Sequence, residues 1–124
     1  MKLRIQDNSL RLRLSQKEVA RLHRDGLVEC AIGFPSGRTL RYSVSSSPDA
    51  TAVSAGYEDD SLRVVLPRTV TNAWAESDQV TIEGVDASVR ILVEKDFQCL
   101  HKEHLDPDGF PNPLSQAVQN QKCR

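Results

Sequence analysis

Apolar and polar residues alternate along much of this chain, which is the pattern of strands that bury one face. In the clearest run, Ser9–Leu14, three leucines share one face while Arg11 and Arg13 share the other. Similar alternation predicts five further strands, near residues 2–6, 39–44, 61–66, 79–83 and 89–93. A mixed apolar run at 27–34 and a weaker run of small residues at 52–57 predict two more. Most connections between these runs are short, so we expect neighbouring strands to pair mainly antiparallel.

Two short helices are predicted between the strands. Residues 15–18 read Ser-x-x-Glu, a capping box in which the two side chains bond reciprocally to backbone N–H groups. Gly26 is suited to end this helix in the left-handed conformation. A second helix is expected after Pro67, with Val70 and Trp74 facing the core.

The Ser9–Leu14 run has a fainter copy 52 residues later, at Ser61–Leu66. The same offset gives further pairs of similar residues, among them Leu22 with Trp74 and Val28 with Val80. These pairs predict an internal repeat over residues 9–58 and 61–97. Chance similarity among amphipathic elements would produce the same pairs, and that alternative stays open.

Together these elements predict a single α+β domain over residues 1–113. About eight mainly antiparallel strands would form a strongly bent sheet or barrel with two short helices, built from a duplicated strand–helix–strand unit. Residues 114–124 are polar and rich in Gln and Asn, and we expect them to form a flexible tail.

Composition and charge restrict the function without identifying it. The 124 residues carry a formal net charge of −1 and are 39% hydrophobic, so neither nucleic acid nor an anionic membrane is an expected partner. No run approaches the roughly 18 apolar residues of a membrane span, and residues 1–8 lack the apolar core of a signal peptide. The odd number of cysteines argues against a disulfide framework, so we expect a cytoplasmic location.

Arginines alternate with core-facing residues on several predicted strands, and they are the candidate ligand-binding residues. If these strands are neighbours, their guanidinium groups would line one surface that holds an anionic small molecule or an acidic segment of a partner protein. The alternative is a solvated face with cross-strand ion pairs to Glu29, Glu83 and Glu94. The six candidates are Arg4, Arg11, Arg13, Arg41, Arg63 and Arg90.

A second candidate site lies near the C-terminus. Thiolate and imidazole ligands are those that zinc prefers, and Cys99, His101, His104 and Cys123 could supply four of them. The same residues could serve a cysteine-dependent enzyme. The alternative is a buried Cys99 beside two surface histidines, because the spacing matches no common zinc module. No cofactor is predicted and no catalytic residue is identified, so the patterns favour a binding or interaction module over an enzyme.

Two segments near the end of the chain suggest structural roles. In the stretch 93–97, Glu94 and Asp96 share one strand face and Lys95 takes the other, so the three should not converge. In the segment Phe-Pro-Asn-Pro at 110–113, we expect Phe110 to dock into an apolar groove of its own domain, or of a partner.

Several distinctive motifs are spread along the chain: Lys-Leu-Arg-Ile at 2–5, Asn-Ser-Leu-Arg-Leu-Arg-Leu-Ser at 8–15, Val-Glu-Lys-Asp-Phe at 93–97, Cys99-Leu100 and the 110–113 segment. In these motifs the chain, over about residues 1–113, resembles a small family of uncharacterised bacterial proteins. The resemblance implies a bacterial cytoplasmic protein and no activity. The element order is similar to the CYTH or triphosphate-tunnel topology, but the acidic signature of that family is missing, and a shared topology transfers no function.

Overall fold

The computed structural model describes residues 1–97 and 108–111, and it contains eight strands and two helices in that part of the chain. The predicted α+β class, the eight strands and both helices are thereby confirmed. The elements are β1 (Lys2–Gln6), β2 (Ser9–Leu14), α1 (Gln16–Asp25), β3 (Leu27–Gly33), β4 (Thr39–Ser47), β5 (Ser54–Glu58), β6 (Ser61–Pro67), α2 (Arg68–Ala75), β7 (Thr81–Asp86) and β8 (Val89–Lys95).

The strands form two four-stranded sheets, where the sequence predicted one bent sheet or barrel. The first sheet has the order β1-β2-β8-β7 and the second has the order β3-β4-β6-β5. Four strand pairs are antiparallel hairpins, whereas β2–β8 and β4–β6 are parallel and join strands distant in sequence. The described strands contain no closed barrel. Alternation of residues sets which face of a strand is buried, but it does not specify which strand lies alongside.

The two sheets have the same strand arrangement, and each takes one hairpin from each half of the chain. The first sheet joins the β1–β2 hairpin, before α1, to the β7–β8 hairpin, after α2. The second sheet joins the β3–β4 hairpin, after α1, to the β5–β6 hairpin, before α2. In the first sheet Ser9 lies opposite Arg90, and in the second Ser61 lies opposite Arg41. The registers also correct the predicted match of Val28 with Val80. Ile82, buried like Val28, takes the corresponding place, while Val80 precedes β7 and is exposed.

The core is built from the inner faces of both sheets and from the sides of both helices that face them. Leu22 of α1 and Trp74 of α2 are fully buried, and the Trp74 indole N–H donates to the Val80 carbonyl at 2.8 Å. The strands contribute Leu10, Leu12, Leu14, Val28, Val44, Val64, Leu66, Ile82, Ile91 and Val93. On α2 the buried neighbour of Trp74 is Thr71, not the predicted Val70. Thr71 is tolerated there because its hydroxyl donates to the Pro67 carbonyl at 3.1 Å.

Helix α1 has the predicted caps. Ser15 accepts from the Glu18 N–H, Glu18 accepts from the Ser15 N–H, and Gly26 closes the helix with φ 81°. Glu18 also pairs with the Met1 ammonium group, which ties the start of β1 to the helix. Burial alone would raise the pKa of Glu18, but the hydrogen bonds from Met1 and Ser15 outweigh it and lower that pKa.

The two sheets meet where β5 passes β7. The Ala55 N–H donates to Asp86 Oδ2 at 3.0 Å, and Val53 lies directly against Gly84. A Cβ atom added to Gly84 would stand 2.6 Å from the Cβ of Val53, so only glycine allows this approach. The edges of β5 and β7 therefore cover one another.

Candidate functional site

The structure divides the six candidate arginines between the two sheets. Those of β1, β2 and β8 lie on the outer face of the first sheet, and those of β4 and β6 lie on the outer face of the second. A single surface lined by all six is therefore not formed. The first group is Arg4, Arg11, Arg13 and Arg90, and the second is Arg41 and Arg63.

Only the first sheet, among the described strands, has a strongly cationic outer face. Lys2 joins its four arginines, and the carboxylates of the four strands on that face are Glu83 and Glu94. On the second sheet two arginines are matched by Glu29 and Glu58. The positions that correspond to Lys2 and Arg4 are Ser54 and Gly56 there. The two sheets thus share a strand arrangement, but only the outer face of the first sheet has an excess of positive charge among its strand residues.

Three arginines of the first sheet surround a groove of about 310 Å³, which we call the arginine groove. Its floor is Leu92, which is only 8% exposed although it lies on the outer face, away from the core cluster. Long arginine stems can cover an apolar side chain while the charged heads stay in water. The groove is lined by Arg4, Gln6, Asp7, Asn8, Ser9, Arg11, Arg90 and Leu92.

Carboxylates neutralise part of this surface. Arg90 pairs with Glu83 at 2.8 Å, and Glu94 is shared between Arg11 at 3.6 Å and Arg13 at 3.4 Å. The cross-strand ion pairs expected for Glu83 and Glu94 are therefore formed, whereas Glu29 has none among the described residues.

Arg4 is different from its neighbours. It lies directly opposite Arg11 in the β1–β2 register, an arrangement that like charges make unfavourable. Its guanidinium donates to Gln6 Oε1 at 3.3 Å, and it makes no ion pair within the described part of the chain. The Arg4–Arg11 pair is therefore the least neutralised part of the groove.

The β1–β2 turn forms a fixed rim of the groove. Asp7 has φ 49°, Asn8 Nδ2 donates to the Ser88 carbonyl at 2.7 Å, and the Arg90 N–H donates to the Asn8 carbonyl at 3.0 Å. Ser9 Oγ donates to the Gln6 carbonyl at 2.8 Å. Strand β8 is thereby held beside the turn, which fixes the backbone of Arg90 relative to that of β1 and β2.

The remaining motifs give no second site of this kind in residues 1–97 and 108–111. Asp96 pairs with Lys2 at 2.9 Å, Glu94 faces the arginines, and Lys95 turns away to the Ser77 carbonyl at 2.7 Å. The three residues therefore stay apart, as predicted. Phe110 is fully exposed, so its predicted docking into a groove of its own domain is wrong. A larger groove of about 970 Å³ runs between α1 and residues 95–97, next to the end of the described segment.

The predicted metal ligands lie outside the described residues. Cys99, His101, His104 and Cys123 all fall in the ranges 98–107 and 112–124. The described ranges contain no group of three His, Cys, Asp or Glu residues that could hold a metal ion. None of the helices in these ranges is long and apolar enough to cross a membrane.

Sequence reasoning missed two components of the groove and its surroundings. Lys2 belongs to the cationic face, and its place in the same alternation as Arg4 was an available signal. The second component is Leu92: the alternation that buries Ile91 and Val93 puts Leu92 on the outer face with Arg90, but nothing in the sequence indicates that Arg11 lies beside it.

Comparison with known proteins places the chain in a family and provides no activity. Neither the curated proteins nor the solved structures gave a match to this chain. A family model described as a family of unknown function (DUF7009) matches residues 1–114. This match covers the whole two-sheet fold, including the arginine groove, and it fits the predicted resemblance to an uncharacterised family. The chain belongs to this family of unknown function.

Proposed function

We propose that this protein is a binding module that holds a small anionic ligand, bearing a phosphate or carboxylate group, in the arginine groove. The observation that carries the proposal is the cross-strand pair of Arg4 and Arg11, opposed without a carboxylate between them and next to Arg90. An anion bound there would replace the repulsion of two like charges by charge-assisted hydrogen bonds.

The chemistry of the groove suits such a ligand. A guanidinium group is planar, always charged and able to donate two parallel hydrogen bonds to a phosphate or carboxylate. Because Leu92 forms an apolar floor, the charges are less well screened than on an open surface. Arg4 makes no ion pair among the described residues, Arg11 shares Glu94 with Arg13 at the longer distance of 3.6 Å, and Arg90 is paired with Glu83 at 2.8 Å. Arg4 is therefore the primary contact, with Arg11 next and Arg90 the secondary one. A volume near 310 Å³ favours a small ligand.

The predicted internal repeat supports an asymmetric role for the two sheets. We infer that residues 2–47 and 54–95 are copies of one unit, because their elements and strand registers correspond. The first turn of each copy also begins with a positive φ, 49° at Asp7 and 51° at Asp59, although Asp60 of the second copy has a positive φ that Asn8 does not share. In the second copy Gly56 replaces Arg4 while Arg63 is kept. The second sheet thus supplies a matched reference surface. The bacterial source and the cytoplasmic location stay predictions.

Isothermal titration calorimetry at low salt tests the proposal, with inorganic phosphate, a sugar phosphate, a nucleoside monophosphate and a dicarboxylate as probes. Arg4→Gln or Arg11→Gln should weaken binding by at least about tenfold, since a hydrogen bond to a charged group contributes roughly 1.5–3 kcal/mol. The control Arg63→Gln, at the place in the second sheet that corresponds to Arg11, should leave the affinity unchanged.

The rim provides a test with the opposite sign. Asp7→Asn removes a carboxylate from the groove and should strengthen binding, while Asp59→Asn in the corresponding turn should not. Asparagine tolerates a positive φ, so neither change should strain the turn. The proposal is overturned if none of the four probes binds saturably, or if Arg63→Gln weakens binding as much as Arg4→Gln does.

A further inference from the structure

We propose that the free edge of β1 accepts an extended acidic segment of a partner protein, which adds to the first sheet as a fifth strand. An unpaired edge presents a row of backbone N–H and C=O groups that an incoming strand can bond. This inference does not depend on a small ligand in the arginine groove, because it rests on the backbone edge of β1 that faces away from β2. Arg4 is the one side chain common to both proposals.

The edges of β1 and β3 are both open among the described strands, and they differ in charge. Among the described strands β1 is hydrogen-bonded to β2 alone, and four of its five residues are exposed. The edges of β5 and β7, by contrast, cover one another through Ala55, Asp86 and the close approach of Val53 to Gly84. The beginning of β1 is held by the Met1 ammonium pair with Glu18 and by the Tyr42 hydroxyl, which donates to the Met1 carbonyl at 3.3 Å.

The side chains on this edge specify the kind of strand that fits. Lys2 and Arg4 point to the outer face, and the Lys2 side chain is 73% exposed. Ile5 points to the inner face and is 63% exposed, so it leaves apolar surface beside this edge that an incoming strand would cover. An incoming strand that alternates acidic and apolar residues would pair its carboxylates with Lys2 and Arg4 and cover Ile5.

The same charges argue against pairing with a second copy of this chain. Two β1 edges placed side by side would bring Lys2 and Arg4 against their own copies, and like charges across a strand pair are destabilising. Lysine on an edge strand commonly serves to prevent such self-association. An acidic strand would meet Arg4, which makes no ion pair among the described residues, and Lys2, whose partner Asp96 at 2.9 Å it would have to replace. The charges on this edge therefore disfavour the homotypic partner and favour the complementary one. The β3 edge carries Glu29 and no cation, and it would not select an acidic strand.

A designed peptide tests this directly. The probe is a capped peptide of about seven residues that alternates glutamate and valine, the length of an ordinary strand. One control peptide has the same composition with the glutamates and valines in separate blocks, and another alternates lysine and valine. Binding to the full chain is measured by fluorescence anisotropy, and amide chemical-shift changes locate the contact.

The expected result is saturable binding of the alternating acidic peptide alone, with shift changes concentrated in β1. Charge reversal by Lys2→Glu with Arg4→Glu should weaken it at least tenfold, whereas Arg41→Glu with Arg63→Glu on the second sheet should not. Arg90→Gln should leave peptide affinity unchanged, which separates this site from the arginine groove. Equal binding of the block peptide, shifts centred away from β1, or dimerisation of the chain through β1 would each overturn the inference.

Discussion

A methyl group added to Gly84 should destabilise the contact between the two sheets. The new Cβ would stand 2.6 Å from the Val53 Cβ and 3.0 Å from both of its γ carbons. An ordinary carbon–carbon contact is about 3.5–4.0 Å, so β5 would have to move by roughly 1 Å. Overpacking of this kind costs about 1–3 kcal/mol, and we expect Gly84→Ala to lower the free energy of unfolding by about 2 kcal/mol.

Second-site changes at Val53 locate the cause of that loss. Because the nearest atom is the Val53 Cβ itself, Val53→Ala should not relieve the clash, whereas Val53→Gly should. In the Val53→Gly background the cost of Gly84→Ala should therefore fall below about 1 kcal/mol, a coupling that a double-mutant cycle measures. Gly33→Ala is the control, since a Cβ there meets nothing within 4 Å.

Urea unfolding followed by circular dichroism gives the free energies for the unaltered chain, each single variant and both double variants. If Gly84→Ala costs no more than Gly33→Ala, or if its cost is the same with glycine at 53, then β5 and β7 do not approach as closely as described.

Two further predictions concern α1 and the core. Glu18→Gln should destabilise the protein near pH 7, and this loss of stability should diminish below about pH 4. The reason is that the pKa of Glu18 is lowered in the folded state, so its carboxylate stabilises the fold above the unfolded pKa and loses that contribution as pH falls. Burial alone would lower the pKa of the Met1 ammonium, but its interaction with Glu18 outweighs burial and raises that pKa. The stability lost in Glu18→Gln should therefore also diminish as pH rises above about 8. Urea unfolding of both proteins across this pH range measures the two effects, and a stability difference that does not change with pH contradicts the pairing. Trp74→Phe should lower the free energy of unfolding by roughly 1–3 kcal/mol, because it removes packing and the hydrogen bond from the indole N–H to the Val80 carbonyl. Thermal and urea unfolding measure this change. A decrease of less than about 0.5 kcal/mol would contradict the burial of Trp74.

Local features of the fold follow directly from local sequence. Ser15, Glu18 and Gly26 define α1 because caps act on backbone groups within one turn of the chain. Leu12 and Leu14 are buried because side chains alternate strictly along a strand. For the same reason, alternation alone correctly assigns the arginines of β2 to the outer face.

The candidate site could be predicted only in part. Guanidinium groups do gather on one sheet face, but the predicted set was too large because Arg41 and Arg63 belong to the other sheet. Lys2 was omitted, although it shares the alternation of Arg4. Which arginines lie together, and that Arg11 lies beside Leu92, depend on which strands are neighbours, and period-two alternation carries no information about that.

The sequence by itself determined the eight strands, the two helices and, for the six strands with clear alternation, the face turned to the core. The tertiary structure alone decided that β2 lies beside β8 and β4 beside β6, parallel pairs of strands that are not consecutive in the chain. Such pairs form because the inner faces of both sheets, Leu22 and Trp74 must leave water together, a requirement of the whole chain. That pairing placed Arg90 beside the β1–β2 turn, where Arg4 and Arg11 already stood opposed, and so created the arginine groove.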